Sequence, residues 1–314
     1  MIKIIDYSDR YDEKLMKLDM MSFLNIKYHR DVILKSVCLA ADGDEIIGVG
    51  MLKAGATFLK IDEEELRYYF IHADFLADEG ADAEAQVIAS GMLIEELKKR
   101  FDKIQDSHKG KRLILRVWTN AMKKDYLEFL MSYGFRPMRV TPIMARELTD
   151  EDMEAYSEDE PVIRLKGGEK LAIREMDPDD ENFAKEYIKT NREAFEVEDS
   201  INELRFVMGG EDSHVFAVMK GERVIAALTT WTVSEGRAAT ENIFCAQDYR
   251  QKGVTSALIQ YALGFLRSRG YEQASLTVFG DNQPATQLYL KLGYEVEGTL
   301  LECHYERDYK NIGF

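Results

Sequence analysis

The stretch DYRQKGVTSAL, Asp248–Leu258, places two basic side chains and a glycine directly before an apolar helical repeat. The first-turn amides of a helix have no partner inside the helix, and the helix dipole adds partial positive charge there. Gly253 lets a ligand approach the backbone, while Arg250 and Lys252 add full charge. The stretch predicts a phosphate-binding loop, although a glycine flanked by solvated basic residues is also an ordinary helix start.

The elements around this loop indicate an α/β domain built on one sheet. Ala257, Leu258, Tyr261 and Ala262 recur at helical spacing and predict an apolar helix face, which Gly270 ends. The predicted order is a hairpin over Val215–Val233, a strand over Ala239–Cys245, a helix over Gly253–Arg269, a strand over Ala274–Phe279, a helix over Pro284–Leu292 and closing strands.

The chain repeats this pattern in its first half. CLAADGDEIIGVG, Cys38–Gly50, and FAVMKGERVIAAL, Phe216–Leu228, each predict two strands joined at a glycine. Each half then closes on a helix, a glycine and an aromatic residue, in MSYGF (Met131–Phe135) and LKLGY (Leu290–Tyr294). At roughly 150 residues per domain, 314 residues also predict two domains.

An acidic segment separates the two copies. Its carboxylates precede Pro161 and the pair Gly167 and Gly168, a composition that favours a linker. We therefore expect one domain over residues 1–150, a linker over 151–168 and a second domain over 169–314. The remaining predicted elements are strands over Ile2–Asp6, Val162–Leu165 and Lys170–Met176, and helices over about Glu181–Gly209.

The second half resembles the GNAT superfamily of acyl-CoA-dependent N-acyltransferases. The resemblance rests on ENIFCAQDYRQKGVTSAL, on the strand ASLTVF and on NQPATQLYLKLGYEVEG, and spans about Lys170–Tyr305. The family's pyrophosphate loop reads Gln/Arg-x-x-Gly-x-Gly/Ala, and the chain matches it from Arg250 to Val254. Thr255 departs from it, because a branched side chain stands where the family prefers a small one.

The resemblance implies an α/β fold with a mixed α+β sheet, present as two tandem GNAT-like acyl-CoA N-acyltransferase domains. It also implies that acetyl-CoA is the co-substrate. The main chain at Phe244 and Cys245 would pair with the pantetheine arm, and an amide there would polarise the thioester oxygen. The implied coenzyme-binding residues are Phe244, Cys245, Arg250, Gln251, Lys252, Gly253, Val254, Thr255, Asn282 and Ala285.

Acyl transfer to an amine needs a base for the amine and an acid for the departing thiolate. Tyr289 stands at the family's usual acid position; a phenol is protonated at neutral pH, although a tyrosine here could also be a packing residue. Glu241, on the strand entering the loop, is the candidate base, with an exposed strand-edge carboxylate as the alternative. An acyl-enzyme on Cys245 is disfavoured, because no histidine lies nearby in sequence to form the thiolate.

The first half lacks these parts. Its corresponding loop, Asp74–Gln86, carries carboxylates in place of the basic rim and has no glycine at the helix mouth. Leu130 stands where Tyr289 would be, and Tyr126, one turn earlier, is expected in the core. Because negative side chains repel a diphosphate, we expect this half not to bind coenzyme A. Its expected role is structural, or completion of the acceptor pocket.

Composition excludes other functions. A net charge of -16 argues against nonspecific binding of nucleic acid or anionic membranes, which requires a basic face. Three dispersed cysteines, no secretory signal and no long apolar run predict a soluble, cytoplasmic protein. We expect no metal, because the histidines lack metal-ligand spacing; they are His29, His72, His108, His214 and His304.

The sequence thus favours an N-acetyltransferase that moves an acetyl group directly to a primary amine. Glu196, Glu198 and Asp199, near the expected acceptor mouth, suggest a cationic acceptor. Small-molecule amines, aminoglycosides, polyamines, amino acids and protein N-termini all stay open, because loop shape sets this specificity. The alternative function is a non-catalytic acyl-CoA-binding or regulatory protein.

Overall fold

The computed structural model describes residues 1–28, 31–55, 68–108, 112–156, 161–166, 168–177, 180–195, 204 and 212–307. The chain divides into two compact units, Met1–Met138 with Leu301–Phe314, and Arg139–Leu300. Both units have the mixed α/β architecture that the sequence predicts. No helix within the described ranges is both long and apolar enough to span a membrane.

The first unit is a mixed sheet with helices on both faces. Four antiparallel strands are followed by a parallel one: β1 (Ile2–Asp6), β2 (Cys38–Asp42), β3 (Glu45–Gly55), β4 (Tyr68–Ala77) and β5 (Arg112–Asn120). The helices are α1 (Asp12–Leu18), α2 (Met20–Tyr28), α3 (Ala83–Ser107) and α4 (Lys124–Ser132), with 3-10 turns at Asp9–Tyr11 and Leu34–Ser36. Leu93 and Leu97 of α3 fill the core on one face, and Leu15 of α1 packs on the other.

The second unit repeats this plan. Its elements are β6 (Arg136–Glu147, from Arg139 onward), β7 (Val162–Arg164), β8 (Lys170–Glu175), α5 (Glu181–Phe195), β9 (His214–Lys220), β10 (Arg223–Ser234), β11 (Arg237–Cys245), α6 (Val254–Ser268), β12 (Gln273–Thr277), α7 (Gln283–Lys291) and β13 (Glu295–Tyr305, up to Leu300), with 3-10 turns at Asp150–Ala155 and Gln247–Tyr249. β7 to β11 are antiparallel, β11 and β12 are parallel, and β12 pairs with β6. Leu258 and Ala262 of α6 pack on one face, and Phe183 of α5 on the other.

The compact units do not follow the predicted boundaries at residues 150 and 169. β6, from the first copy, supplies Ile143–Glu147 as a partner for β12 in the second unit. The end of β13, from the second copy, belongs to the first unit, where Leu301 and Cys303 are buried in the core. Each unit is therefore completed by a strand from the other half of the chain. The predicted linker is also partly ordered, because it contains the Asp150–Ala155 turn and β7.

Most predicted elements are confirmed to within a few residues. Corresponding glycines of the two copies have nearly the same backbone conformation. Gly43 and Gly221 have φ of 61° and 60°, and Gly134 and Gly293 have φ of 85° and 84°. Because L side chains rarely adopt positive φ, glycine is strongly favoured at such turns. The predicted helical region Glu181–Gly209 extends as α5 to Phe195, and beyond it only Leu204 is described. Glu196, Glu198 and Asp199 lie outside the described residues.

Candidate active site

The candidate site lies where two parallel strands part. β11 and β12 pair from Arg237↔Gln273 to Ala239↔Ser275, and their register ends there. Beyond this point the main chain at Phe244 and Cys245 pairs with β10 on one side, and no strand among the described residues pairs with its other edge, which is called the open edge below. This is the geometry that an extended ligand requires if it is to add as a strand.

A β-bulge distorts β11 beside the opening. Ala227↔Phe244 and Thr229↔Glu241 are successive pairs with β10, so three steps along β11 match two along β10. Asn242 takes the extra position with a φ of 50°, a left-handed conformation that asparagine tolerates better than most residues. Such a bulge re-aims main-chain groups, so the site does not follow regular strand geometry.

Glu241 spans the gap between the parted strands. Its Oε1 accepts hydrogen bonds from the amide and the hydroxyl of Thr277, at 2.7 and 2.9 Å. Burial raises the pKa of Glu241 to about 7, and these bonds partly oppose that shift. A half-buried carboxylate that titrates near neutral pH is suited to accept a proton from an amine.

Tyr289 is a buried residue of α7. Its ring packs edge-on against Tyr294 at 6.0 Å between centroids. The Tyr294 hydroxyl is 2.9 Å from the hydroxyl of Thr240, the residue before Glu241. Burial, then the charge of Glu241, raises the pKa of Tyr289 above its usual value, so the phenol keeps its proton. The structure thus brings the predicted acid and base within electrostatic reach of each other.

The predicted phosphate loop has an open backbone. Gln251 and Gly253 both adopt positive φ, 62° and 84°, and Gly253 is the N-cap of α6. A Cβ built on Gly253 meets no heavy atom of the described chain within 4 Å. The backbone can therefore be approached at Gly253, and the first-turn amides of α6 are the donors that a diphosphate requires, so these residues fit the group that the sequence predicts.

The charged residues of the loop are held by local contacts. Arg250 donates from Nε to the Cys245 carbonyl at 3.2 Å, and the Lys252 ammonium lies 4.7 Å from the centroid of the Tyr249 ring. Thr255, which departs from the family motif, forms a hydrogen bond with Cys245. Its side chain therefore has a partner within the protein. Burial raises the pKa of the Cys245 thiol, and the Thr255 bond only partly offsets it.

Two cations next to this loop were missed by sequence reasoning. Lys220 and Arg223 flank the turn between β9 and β10, and their charged groups lie 5.5 and 6.0 Å from the Tyr249 ring centroid. Lys220 also contacts the Tyr249 hydroxyl and Glu169, at 2.8 and 2.7 Å, while Arg223 binds Asp248 through two 2.8 Å bonds. The turn glycine Gly221 predicts the hairpin that carries both residues. It does not predict that this hairpin lies beside the loop.

The remaining predicted coenzyme-binding residues lie at the edges of this region. Asn282 caps α7 by accepting a hydrogen bond from the Ala285 amide at 3.3 Å, and Ala285 is half-buried. Phe244 is buried among aromatic rings of α5, 5.0 Å from Tyr187 and 6.1 Å from Phe195 between centroids. Of Phe244, only the main-chain groups and not the side chain are thus available to a ligand on the open edge of β11.

The first unit has the same strand arrangement without these features. β3 and β4 keep one continuous register from Gly48↔Ala77 to Gly55↔Phe70, with no bulge. The N-terminus of α3 is capped by Asp82, whose carboxylate accepts from the Ala85 amide at 2.9 Å. A negative group therefore occupies the end of α3 that corresponds to the phosphate loop. Leu130, the counterpart of Tyr289, is fully buried, and Tyr126 packs against the core as expected.

Metal ligation has no candidate among the residues that the structure describes: no three His, Cys, Asp or Glu side chains come together suitably. Within the same ranges, Cys38, Cys245 and Cys303 are buried free thiols.

Comparisons with known proteins agree with this geometry. Residues 179–294 match the family model described as Acetyltransferase (GNAT) family. The "Uncharacterized N-acetyltransferase YobR" of Bacillus subtilis (strain 168) is 30% identical over 90 residues, which is 29% of this chain and 35% of that protein. The matched region thus spans about a third of the curated relative.

Solved structures extend the fold likeness to nearly the whole chain. A GCN5-related N-acetyltransferase from Sphaerobacter thermophilus aligns with a TM-score of 0.64 at 13% identity, covering 97% of this chain and 95% of the other. A tandem GNAT protein from the clavulanic acid biosynthesis pathway aligns at 0.65 and 12% identity, over 99% and 100%. At such low identity these likenesses concern the fold. The family match thus identifies residues 179–294, in the second unit, as a GNAT-like domain, and the solved structures show that nearly the whole chain shares the fold of a tandem GNAT protein.

Proposed function

We propose that the chain is an acetyl-CoA-dependent N-acetyltransferase that transfers the acetyl group directly to a primary amine. The observation that carries this proposal is the convergence of Glu241, Tyr289 and the open edge of β11 beside the loop at Gly253. Acetyl-CoA would supply an activated thioester. The loop amides and α6 would hold its diphosphate, and the main chain at Phe244 and Cys245 would align its pantetheine arm.

In the proposed reaction Glu241 removes a proton from the acceptor ammonium, and the free amine attacks the thioester carbonyl. The C–N bond forms, the C–S bond breaks, and Tyr289 donates its hydroxyl proton to the departing sulfur. The nitrogen releases its second proton as the amide forms, and that proton restores the Tyr289 hydroxyl through solvent. Burial raises the pKa of Tyr289, but a thiolate formed in the same desolvated cleft is destabilised for the same reason. The hydroxyl is therefore still placed to neutralise it.

The test is thiol release by the full chain with acetyl-CoA and a panel of primary amines. Tyr289→Phe should lower kcat on the order of a hundredfold, the scale of general acid catalysis, without weakening acetyl-CoA binding measured by calorimetry. Tyr271→Phe is the matched control, because it removes a hydroxyl that binds Asp212 and Thr232 beyond the other end of α6. Binding of acetyl-CoA without thiol release from any amine would favour a non-catalytic acyl-CoA-binding or regulatory protein.

A further inference from the structure

The first unit retains a cavity at the place that corresponds to the candidate active site. Its volume is ≈ 280 Å³, and its lining includes Ser22, Asp74, Phe75, Trp118 and Tyr126. At roughly 30 Å³ per water molecule, this space equals about nine waters, which suits a small ligand and is too little for a whole coenzyme.

The strand register places this cavity in the equivalent cleft. β4 and β5 pair up to His72↔Arg116, as β11 and β12 pair up to Ala239↔Ser275. Asp74 and Trp118 each stand two residues beyond the last pair of the first unit. Glu241 and Thr277 stand two residues beyond the last pair of the second. A carboxylate thus holds the same position in both clefts, and a tryptophan replaces the threonine.

The lining chemistry favours a cation with a flat apolar body. Phe75, Trp118 and Tyr126 present aromatic surfaces, which attract cations and pack against planar groups. Tyr126 is 6.2 Å from Phe75 between ring centroids. Burial raises the pKa of Tyr126 to about 12, with smaller effects from the charges of Cys303 and Asp74, so the phenol is neutral at physiological pH. Asp74 is then the carboxylic acid of the lining.

Two cations adjoin the cavity, and each has a carboxylate partner. Lys53 binds Asp74 through Oδ2. A carboxylate offers about four acceptor positions, so Asp74 keeps capacity for another donor. Arg116 lies 5.3 Å from the Trp118 ring centroid and pairs with the buried Glu302 at 3.3 Å. Neither cation is therefore free to attract an anion.

From this geometry we propose that the first unit binds a small primary amine with an aromatic or similarly flat body, held between the aromatic lining and the Asp74 carboxylate. This site is separate from the proposed acetyl transfer and does not depend on it. The first unit then binds a ligand of its own instead of the coenzyme. Its acidic loop and the unbroken pairing of β3 with β4 both disfavour coenzyme binding.

The test is fluorescence titration of the full chain with phenethylamine. Trp231→Phe leaves Trp118 as the single tryptophan, so its emission reports on the cavity. We expect saturable binding, at least tenfold weakening by Asp74→Asn, and at least tenfold weaker binding of phenylpropionate, which has a similar ring and the opposite charge. Ser22→Leu, which fills the cavity from α2, should also abolish binding, and it decides the matter if Asp74→Asn does not fold.

Glu241→Gln separates this site from the acceptor side of the second unit. Phenethylamine binding unchanged by Glu241→Gln, whatever happens to acetyl transfer, supports the proposal. No saturable signal, equal binding of phenylpropionate, loss of binding in Glu241→Gln, or retention of binding in Asp74→Asn or Ser22→Leu would each overturn it.

Discussion

Thr277 donates two hydrogen bonds, from its amide and its hydroxyl, to the same carboxylate oxygen of Glu241. Because both bonds fall on Oε1, the rotation of the carboxylate is fixed across the parted strands and Oε2 is left for proton transfer. Both bonds also stabilise the charged form of Glu241 and limit how far burial raises its pKa. One threonine therefore sets both the orientation and the basicity of the proposed base.

Thr277→Val should move the acidic limb of the pH–rate profile to higher pH. The variant removes the hydroxyl bond, keeps the amide bond and raises the pKa of Glu241 further. A hydrogen bond to a charged group is worth about 1.5 kcal/mol or more, which corresponds to at least about a tenfold loss of kcat/KM on the acidic side of neutrality. Activity should recover at alkaline pH. An equal loss at every pH would show instead that Thr277 acts on folding or on substrate binding.

Glu241→Gln should make the second unit more stable at pH 8 and change its stability little at pH 5. Glu241 has a folded-state pKa of about 7, above its usual 4.5, so stability present at low pH is lost as pH rises through 7. Glutamine carries no charge, and its carbonyl can still accept the Thr277 bonds. Thermal unfolding at the two pH values measures the difference. A loss of stability at pH 8 would contradict this assignment.

Gly253→Ala should weaken acetyl-CoA binding more than it weakens the fold. At φ 84° an alanine is strained by about 1 to 2 kcal/mol, so the loop backbone should shift. Gly270→Ala is a matched control, with φ 91° and an equally open Cβ position at the opposite end of α6. Both variants should lower the melting temperature similarly, and Gly253→Ala alone should raise the coenzyme Kd. Equal coenzyme Kd values for the two variants would show that Gly253 is not part of the coenzyme-binding loop.

Cys245 should remain unacylated during turnover. Burial raises the pKa of its thiol, and the thiolate is the nucleophilic form. Intact-mass spectrometry after incubation with acetyl-CoA alone should show no acetyl adduct, and iodoacetamide should label Cys245 slowly until guanidinium unfolds the chain. A thioester on Cys245 would replace direct transfer by a two-step mechanism.

A chain ending at Leu300 should fail to fold its first unit. Such a chain lacks Leu301 and Cys303 from the core, and it lacks the Arg112–Glu306 pair at 2.7 Å. Removing two large-to-medium core side chains costs several kcal/mol, a large part of a domain's stability. Hydrogen exchange should show lost protection in β4 and β5. A chain ending at Arg307 is the control and should retain it.

The positions of the helices and strands could be predicted from the sequence better than which strands pair with each other. The hairpins at Gly43 and Gly221 were predictable, because a turn glycine between two apolar runs is a local signal. Glu241 and Tyr289 could be proposed because both lie near the loop motif in sequence. The Thr277 clamp depends on which strands lie side by side and where they part, and residue type alone does not encode that.

The sequence pattern could not predict, for the same reason, that each unit is completed by a strand from the other copy. The alternation in β13 marks a strand, with Cys303 and Glu302 on opposite faces, but it suits either copy of the repeat. The predicted boundaries at 150 and 169 followed the repeat along the chain. The structure follows strand pairing, which joins segments far apart in sequence.

The place of residues 301–307 in the first unit governs the order in which the protein can mature. Proteins are made from the N-terminus, and domains usually fold as they emerge from the ribosome. Here the first half cannot close its core during synthesis, because the strand that completes it is translated after the whole second half. The first unit must consequently complete its core in a late step, after the second unit has been synthesised, and until then the nascent chain exposes the apolar surface that Leu301 and Cys303 will cover.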